Sequence, residues 1–105
     1  MDIIEENELE IKPLTIAKRC EMQLDQAIEY IEQYSEKQAA IMRLQFFSIT
    51  KLLERMPGIG MKYKNGMRKI QLGKFRYFIY YRVKEKEIEV VGIWHTSRGS
   101  EFTED

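Results

Sequence analysis

Residues 70–98 read IQLGKFRYFIYYRVKEKEIEVVGIWHTSR, and this stretch decides the fold. From Phe75 the side chains alternate: Phe75, Tyr77, Ile79, Tyr81 and Val83 share one oily face of a strand, while Arg76, Phe78, Tyr80 and Arg82 share an aromatic and cationic one. After a polar Lys84-Glu85-Lys86 turn, Ile88 to Trp94 resumes with the β-branched and aromatic content of a half-buried strand, so the two runs pair as a hairpin. Met67 to Leu72 supplies a third strand, and Gly73-Lys74 is a Gly-X pair of the kind that closes a two-residue turn. The expectation is a three-strand meander ending on the only histidine of the chain, His95.

The amino-terminal half has a different rhythm. Cys20, Leu24, Ala27, Ile31 and Tyr34 recur at steps of four and three, which puts them on one stripe of a helix beginning after Thr15, with Ile16 and Ile28 widening it. Ser35 then opens a second helix, because Ser35 and Gln38 stand at the spacing of a reciprocal cap. Met42, Phe46, Ile49, Leu53 and Met56 repeat the stripe, and with almost no linker between them the two helices form an antiparallel hairpin. Met56-Pro57-Gly58-Ile59-Gly60 ends it, since proline lacks a donor and glycine permits a sharp turn. Upstream, Glu8 to Lys12 alternates as a first strand, with Pro13 at its end or on an edge. The order is therefore β-α-α-β-β-β: an α+β fold with a helical hairpin packed on one face of a mostly antiparallel sheet.

At 105 residues and 44% apolar composition the chain suffices for one domain with one core, spanning 1–105, with 1–7 and 99–105 read as flexible tails. The acidic start MDIIEENE lacks the basic-then-apolar pattern of a signal peptide, and no apolar run approaches the ~20 residues needed to cross a bilayer. A lone Cys20 on a core stripe makes no internal disulfide, so the location is expected to be cytoplasmic, with no membrane partner. Cys20 and His95 are too few to build a zinc site, and Gly58-Ile59-Gly60 lacks the Lys-Ser/Thr of a phosphate loop. No metal and no cofactor are expected.

Zero net charge hides a strong segregation. Residues 1–50 carry five Lys and Arg against ten Asp and Glu, a net −5; residues 51–100 carry twelve against four, a net +8; Glu101, Glu104 and Asp105 contribute −3. A basic sheet suits an acidic or polyanionic partner, although cations on an exposed sheet face also serve simply to solvate it. Phe78 and Tyr80, interleaved with Arg76 and Arg82, have two readings as well: a platform that stacks bases, or ordinary cross-strand aromatic pairs.

The ordered series of Leu52-Leu53-Glu54-Arg55-Met56-Pro57-Gly58-Ile59-Gly60, Gly66-Met67-Arg68-Lys69-Ile70, the Tyr77 to Val83 strand and the Ile88 to Arg98 run ending His-x-x-Arg resembles the RelE/ParE superfamily of bacterial type II toxins, closer to its ParE-like members. The resemblance covers roughly residues 8 to 98. It implies a toxin that poisons DNA gyrase, as ParE-like members do, a role associated with plasmid stabilization, and that is neutralised by a cognate antitoxin as a homodimer or a toxin–antitoxin heterotetramer. The alternatives are a RelE-like, ribosome-dependent endoribonuclease that cuts mRNA without a metal, and an inactive toxin that only binds antitoxin. For a nuclease the matching candidates are Arg68, His95 and Arg98. Imidazole chemistry suits proton transfer, but His95 can equally pack at a strand end. The position resembling the terminal tyrosine of RelE is Phe102, whose ring transfers no proton. Arg76, Arg82 and Arg98 are the expected target contacts. Off-stripe Leu44 and Phe47 on the second helix, and Tyr30 with Met22 on the first, are the expected antitoxin contacts.

Overall fold

A computed structural model describes residues 11–97 and 99–104; it shows two helices on one face of a five-stranded sheet. The elements are β1 (Leu14–Ile16), α1 (Lys18–Glu32), α2 (Glu36–Arg55), a 3-10 turn (Pro57–Ile59), β2 (Met61–Lys62), β3 (Met67–Gln71), β4 (Tyr77–Val83) and β5 (Ile88–His95). Sheet order is β1-β5-β4-β3-β2, with β1 parallel to β5 and every other pair antiparallel. This is the expected α+β architecture with one added strand. At two residues, β2 is too short for any alternation to reveal it.

The first strand lies after Pro13, not before it. Residues 8–10 of the expected strand fall outside the described residues, and Ile11 and Lys12 are irregular. The Pro13 carbonyl accepts from the Ile88 N–H at 2.9 Å, so proline leads the chain into an edge strand where its missing donor costs nothing. Ala17 N–H then bonds the Val90 carbonyl (2.9 Å), and α1 starts at once. Half of the expected reciprocal cap of α2 forms: Ser35 Oγ accepts from Gln38 N at 3.0 Å, but the Ser35 N–H donates to the Ile31 carbonyl (2.9 Å) rather than to the Gln38 side chain. The expected two-residue turn at Gly73-Lys74 is longer. Leu72 N donates to Tyr77 O, Gly73 adopts φ +57°, and β4 starts at Tyr77 rather than Phe75.

Cys20, Ala27 and Ile28 of α1 and Ala39, Met42, Phe46, Ile49 and Leu53 of α2 pack on Leu72, Ile79, Tyr81, Ile88, Val90 and Ile93. Both stripes end before their last expected member, since Tyr34 and Met56 project to solvent past the helix ends. Burial pushes the Cys20 thiol up to about 12, with Glu21 adding to the effect, so this sulfur is a packing group. In β5 a register shift opposite Tyr80/Tyr81 pairs Tyr81 with Val90 but Tyr80 with Gly92. The extra residue switches the strand's phase, so that Val90 and Ile93 both reach the core.

The single-core expectation needs correction. A second, smaller cluster of Met67, Tyr80, Val91 and Phe102 lies on the opposite sheet face, flanked by Tyr63, Phe78 and Trp94. It exists because residues 99–104, read as tail, fold back across that face and bury Phe102 completely.

Candidate functional site

Three surfaces carry the residues singled out by sequence. The first is the outer side of the helical hairpin, where Leu44 (66% exposed) and Phe47 (60%) stand in solvent as their off-stripe spacing implies, while Tyr30 (57%) is exposed at the rim of the cleft described next. Tyr30 meets Tyr34 edge-on at 5.4 Å, and Lys51 Nζ sits 5.3 Å from the Phe47 ring centre. Met22 is exposed as well.

The second surface is the cleft between α1 and the carboxyl end of β5. It measures about 490 Å³ and is lined by Gln23, Gln26, Tyr30, Tyr77, Trp94, His95 and Ser97, among others. His95 lies opposite Tyr77 in the β4–β5 register, and its ring stands at 89° to the Tyr77 ring with centroids 4.8 Å apart. Its Nδ1 accepts from the Ser97 N–H at 3.0 Å, which turns the chain away from the sheet. Gln23 closes the cleft floor by accepting from Ile93 N at 2.9 Å.

Arg68 belongs elsewhere. It pairs across β3–β4 with Tyr81, whereas His95 pairs with Tyr77, four positions further back along β4. At the rise of an extended strand that separation is roughly 13 Å along the strand alone. The Arg68 guanidinium is bonded to the Gly60 carbonyl (2.7 Å) and the Gly58 carbonyl (3.2 Å), so it fastens the turn that ends the helical hairpin. The structure therefore does not bring Arg68 and His95 together, and Arg98 lies outside the described residues.

The third surface is the outer sheet face. Arg76 is exposed at its rim. Arg82 is engaged instead: both terminal nitrogens reach the two Glu104 carboxylate oxygens at 2.8 Å, and one also reaches the Asn65 carbonyl at 3.0 Å. The Glu104 carboxyl is consequently held below the usual carboxylate range. Tyr80 is sandwiched by Phe102, stacked at 4.3 Å with planes 14° apart, and by Tyr63, edge-on at 4.9 Å. Its faces are thus occupied within the chain, which overrides the base-stacking reading for that ring in favour of aromatic packing. Lys69 Nζ lies 4.6 Å above Phe78 and 5.3 Å from the Tyr63 ring.

Sequence reasoning did not single out Glu104, Arg19, Lys64 or Gly92. The available signal was compositional: an acidic segment carrying one aromatic follows directly on the basic sheet. Among the described residues no group of three or more His, Cys, Asp or Glu is placed to hold a metal, and no helix is long and apolar enough to cross a membrane.

Residues 14–99 match the family described as the ParE toxin of the type II toxin–antitoxin system parDE, and the chain belongs to that family. Among solved structures, the chromosomal ParDE toxin–antitoxin system from P. aeruginosa contains a chain with the same fold. The TM-score is 0.72 at 21% identity, over 84% of this chain and 99% of that one. No curated protein matches.

Proposed function

We propose that this chain inhibits growth by poisoning DNA gyrase and is neutralised by a cognate antitoxin. The observation that carries the reading is the family match over residues 14–99. The distance between Arg68 and His95, and the engagement of Arg68 with the Pro57–Gly60 turn, favour a binding toxin over a nuclease built on those residues. Arg76 and Arg98 are the proposed contacts with an acidic target surface, and Arg82 joins them when it is not paired with Glu104. Tyr30, Leu44 and Phe47 are the proposed antitoxin anchors, in a homodimer or a toxin–antitoxin heterotetramer.

The test is gyrase supercoiling in the presence of purified toxin, with and without its cognate antitoxin. Inhibition that the antitoxin relieves supports the proposal. Intact supercoiling alongside cleavage of ribosome-bound mRNA would replace it with the nuclease reading, and the absence of both with that of a chain that only binds antitoxin.

A further inference from the structure

The segment 99–104 is held to the outer sheet face by side chains. Phe102 is fully buried, and it fits there because β5 presents Gly92 at the contact: a Cβ at that position would overlap the Phe102 ring. The ring stacks on Tyr80, and Arg19 lies 5.6 Å from its centre. Two residues on, Arg82 grips the Glu104 carboxylate through paired hydrogen bonds while Arg19 donates to the Glu104 carbonyl. Tyr63 Oη donates to the Phe102 carbonyl (3.1 Å), Trp94 Nε1 to the Ser100 carbonyl (2.9 Å), and Lys64 pairs with Glu101.

No backbone-to-backbone hydrogen bond joins 99–104 to the sheet among the described residues. A segment fastened only by side chains leaves without unzipping a strand, so its detachment is a local event. Beneath it lies a socket of defined chemistry: an aromatic floor with a glycine-sized recess, Arg82 set two residues away to receive a carboxylate, and Arg19 to receive the carbonyl of the same residue. The net +8 of residues 51–100 against the −3 of the tail is the same complementarity at long range.

We propose that the outer sheet face is a receptor site for an acidic peptide carrying an aromatic residue two positions before a carboxylate, and that Phe102-Thr103-Glu104 occupies it as a releasable intramolecular ligand. A partner segment of that chemistry competes with the tail and takes over Arg82 and the Gly92 recess. Because the internal ligand is tethered, an outside peptide binds the intact chain only in proportion to the open fraction.

The experiment uses a fluorescein-labelled peptide of sequence GSEFTED, that of residues 99–105, and fluorescence anisotropy with the full-length chain. The variant Phe102→Ala/Glu104→Gln, which empties the site, is expected to bind the peptide about tenfold or more tightly than the unaltered chain. Adding Gly92→Ala, whose methyl enters the vacated recess, is expected to abolish the gain, as is replacing the peptide's phenylalanine by alanine. A folded double variant that does not bind the peptide, or binds it no better than the unaltered chain, overturns the proposal. Should the double variant fail to fold, Glu104→Gln alone serves, read by exchange of the Trp94 indole N–H, which donates to the Ser100 carbonyl. That exchange is expected to accelerate about tenfold with the backbone amides of β4 and β5 unchanged, and an unaltered indole exchange overturns the proposal.

Discussion

Tyr81 and Gly60 are locked together at the junction of hairpin and sheet: the Tyr81 hydroxyl accepts from the Gly60 N–H at 2.9 Å and donates to the Pro57 carbonyl at 2.7 Å. A Cβ at Gly60 would fall 2.6 Å from that hydroxyl and 2.8 Å from the Lys69 carbonyl, so only glycine permits the approach. Burial pushes the Tyr81 phenol up, which keeps the donor protonated. Tyr81→Phe strips both bonds and strands a buried N–H, and is expected to cost roughly 1–3 kcal/mol in urea unfolding. An unchanged unfolding midpoint would mean that the turn holds without this contact.

Leu53 is fully buried where α2 meets the sheet. Leu53→Ala is expected to destabilise the chain by about 2–5 kcal/mol, combining lost transfer energy with a cavity. Tyr34→Ala, from the same predicted pattern but 74% exposed, should change little. Equal effects of the two substitutions would contradict the packing.

That pair also shows where sequence reading reaches its limit. Periodicity identifies a helix face well in the middle, where Met42, Phe46, Ile49 and Leu53 all reach the core, and fails at the ends, where Tyr34 and Met56 have no sheet beneath them. The alternation of β4 assigned Ile79 and Tyr81 to the core correctly. It could not show that Tyr80, on the face read as aromatic and cationic, would be covered from within the chain, because the cover comes from Phe102, more than twenty residues away. Nor does alternation tell an arginine that meets a partner from one that ties the chain together: Arg68 holds two carbonyls of a turn and Arg82 a distant carboxylate. His95 was legible as a strand-end histidine, and its bond to Ser97 N is the local, structural kind that spacing alone leaves open.

The Arg82–Glu104 pair gives the tail a pH response. Hydrogen bonding from Arg82 lowers the Glu104 carboxyl, and the Arg82, Lys84 and Arg19 charges act in the same direction against desolvation. A depressed carboxyl contributes stability above its unfolded value of about 4.3, and that contribution is lost as pH falls through the lower folded value. Glu101, lowered by Lys64, follows the same sense. Trp94, the only tryptophan, donates to Ser100 and lies 6.0 Å from Phe102, so its fluorescence reports the segment. The emission should change on acidification below about pH 4.3 and Glu104→Gln should shift or remove the transition. An identical titration in the variant would detach the response from this carboxylate.

Phe47 stands 60% exposed on the hairpin, covered only in part by the Lys51 ammonium. If it anchors the antitoxin, Phe47→Ala should weaken that complex by about 1–2 kcal/mol while leaving the melting temperature of the free toxin unchanged. Calorimetry with the cognate antitoxin decides, and full affinity in the variant would take Phe47 out of the interface.

The most direct measurement is a DNA-cleavage assay with purified gyrase, relaxed plasmid and the antitoxin-free chain, run beside a translating extract scored for cut mRNA. Gyrase poisoning should trap cleaved plasmid in a dose-dependent way and leave messenger intact, and His95→Gln, which keeps a hydrogen-bonding side chain at the strand end, should retain the trapping. Messenger cleavage that falls by about 10²–10⁴-fold in the His95→Gln chain, with gyrase unaffected, would contradict the gyrase reading and make His95 a proton-transfer group.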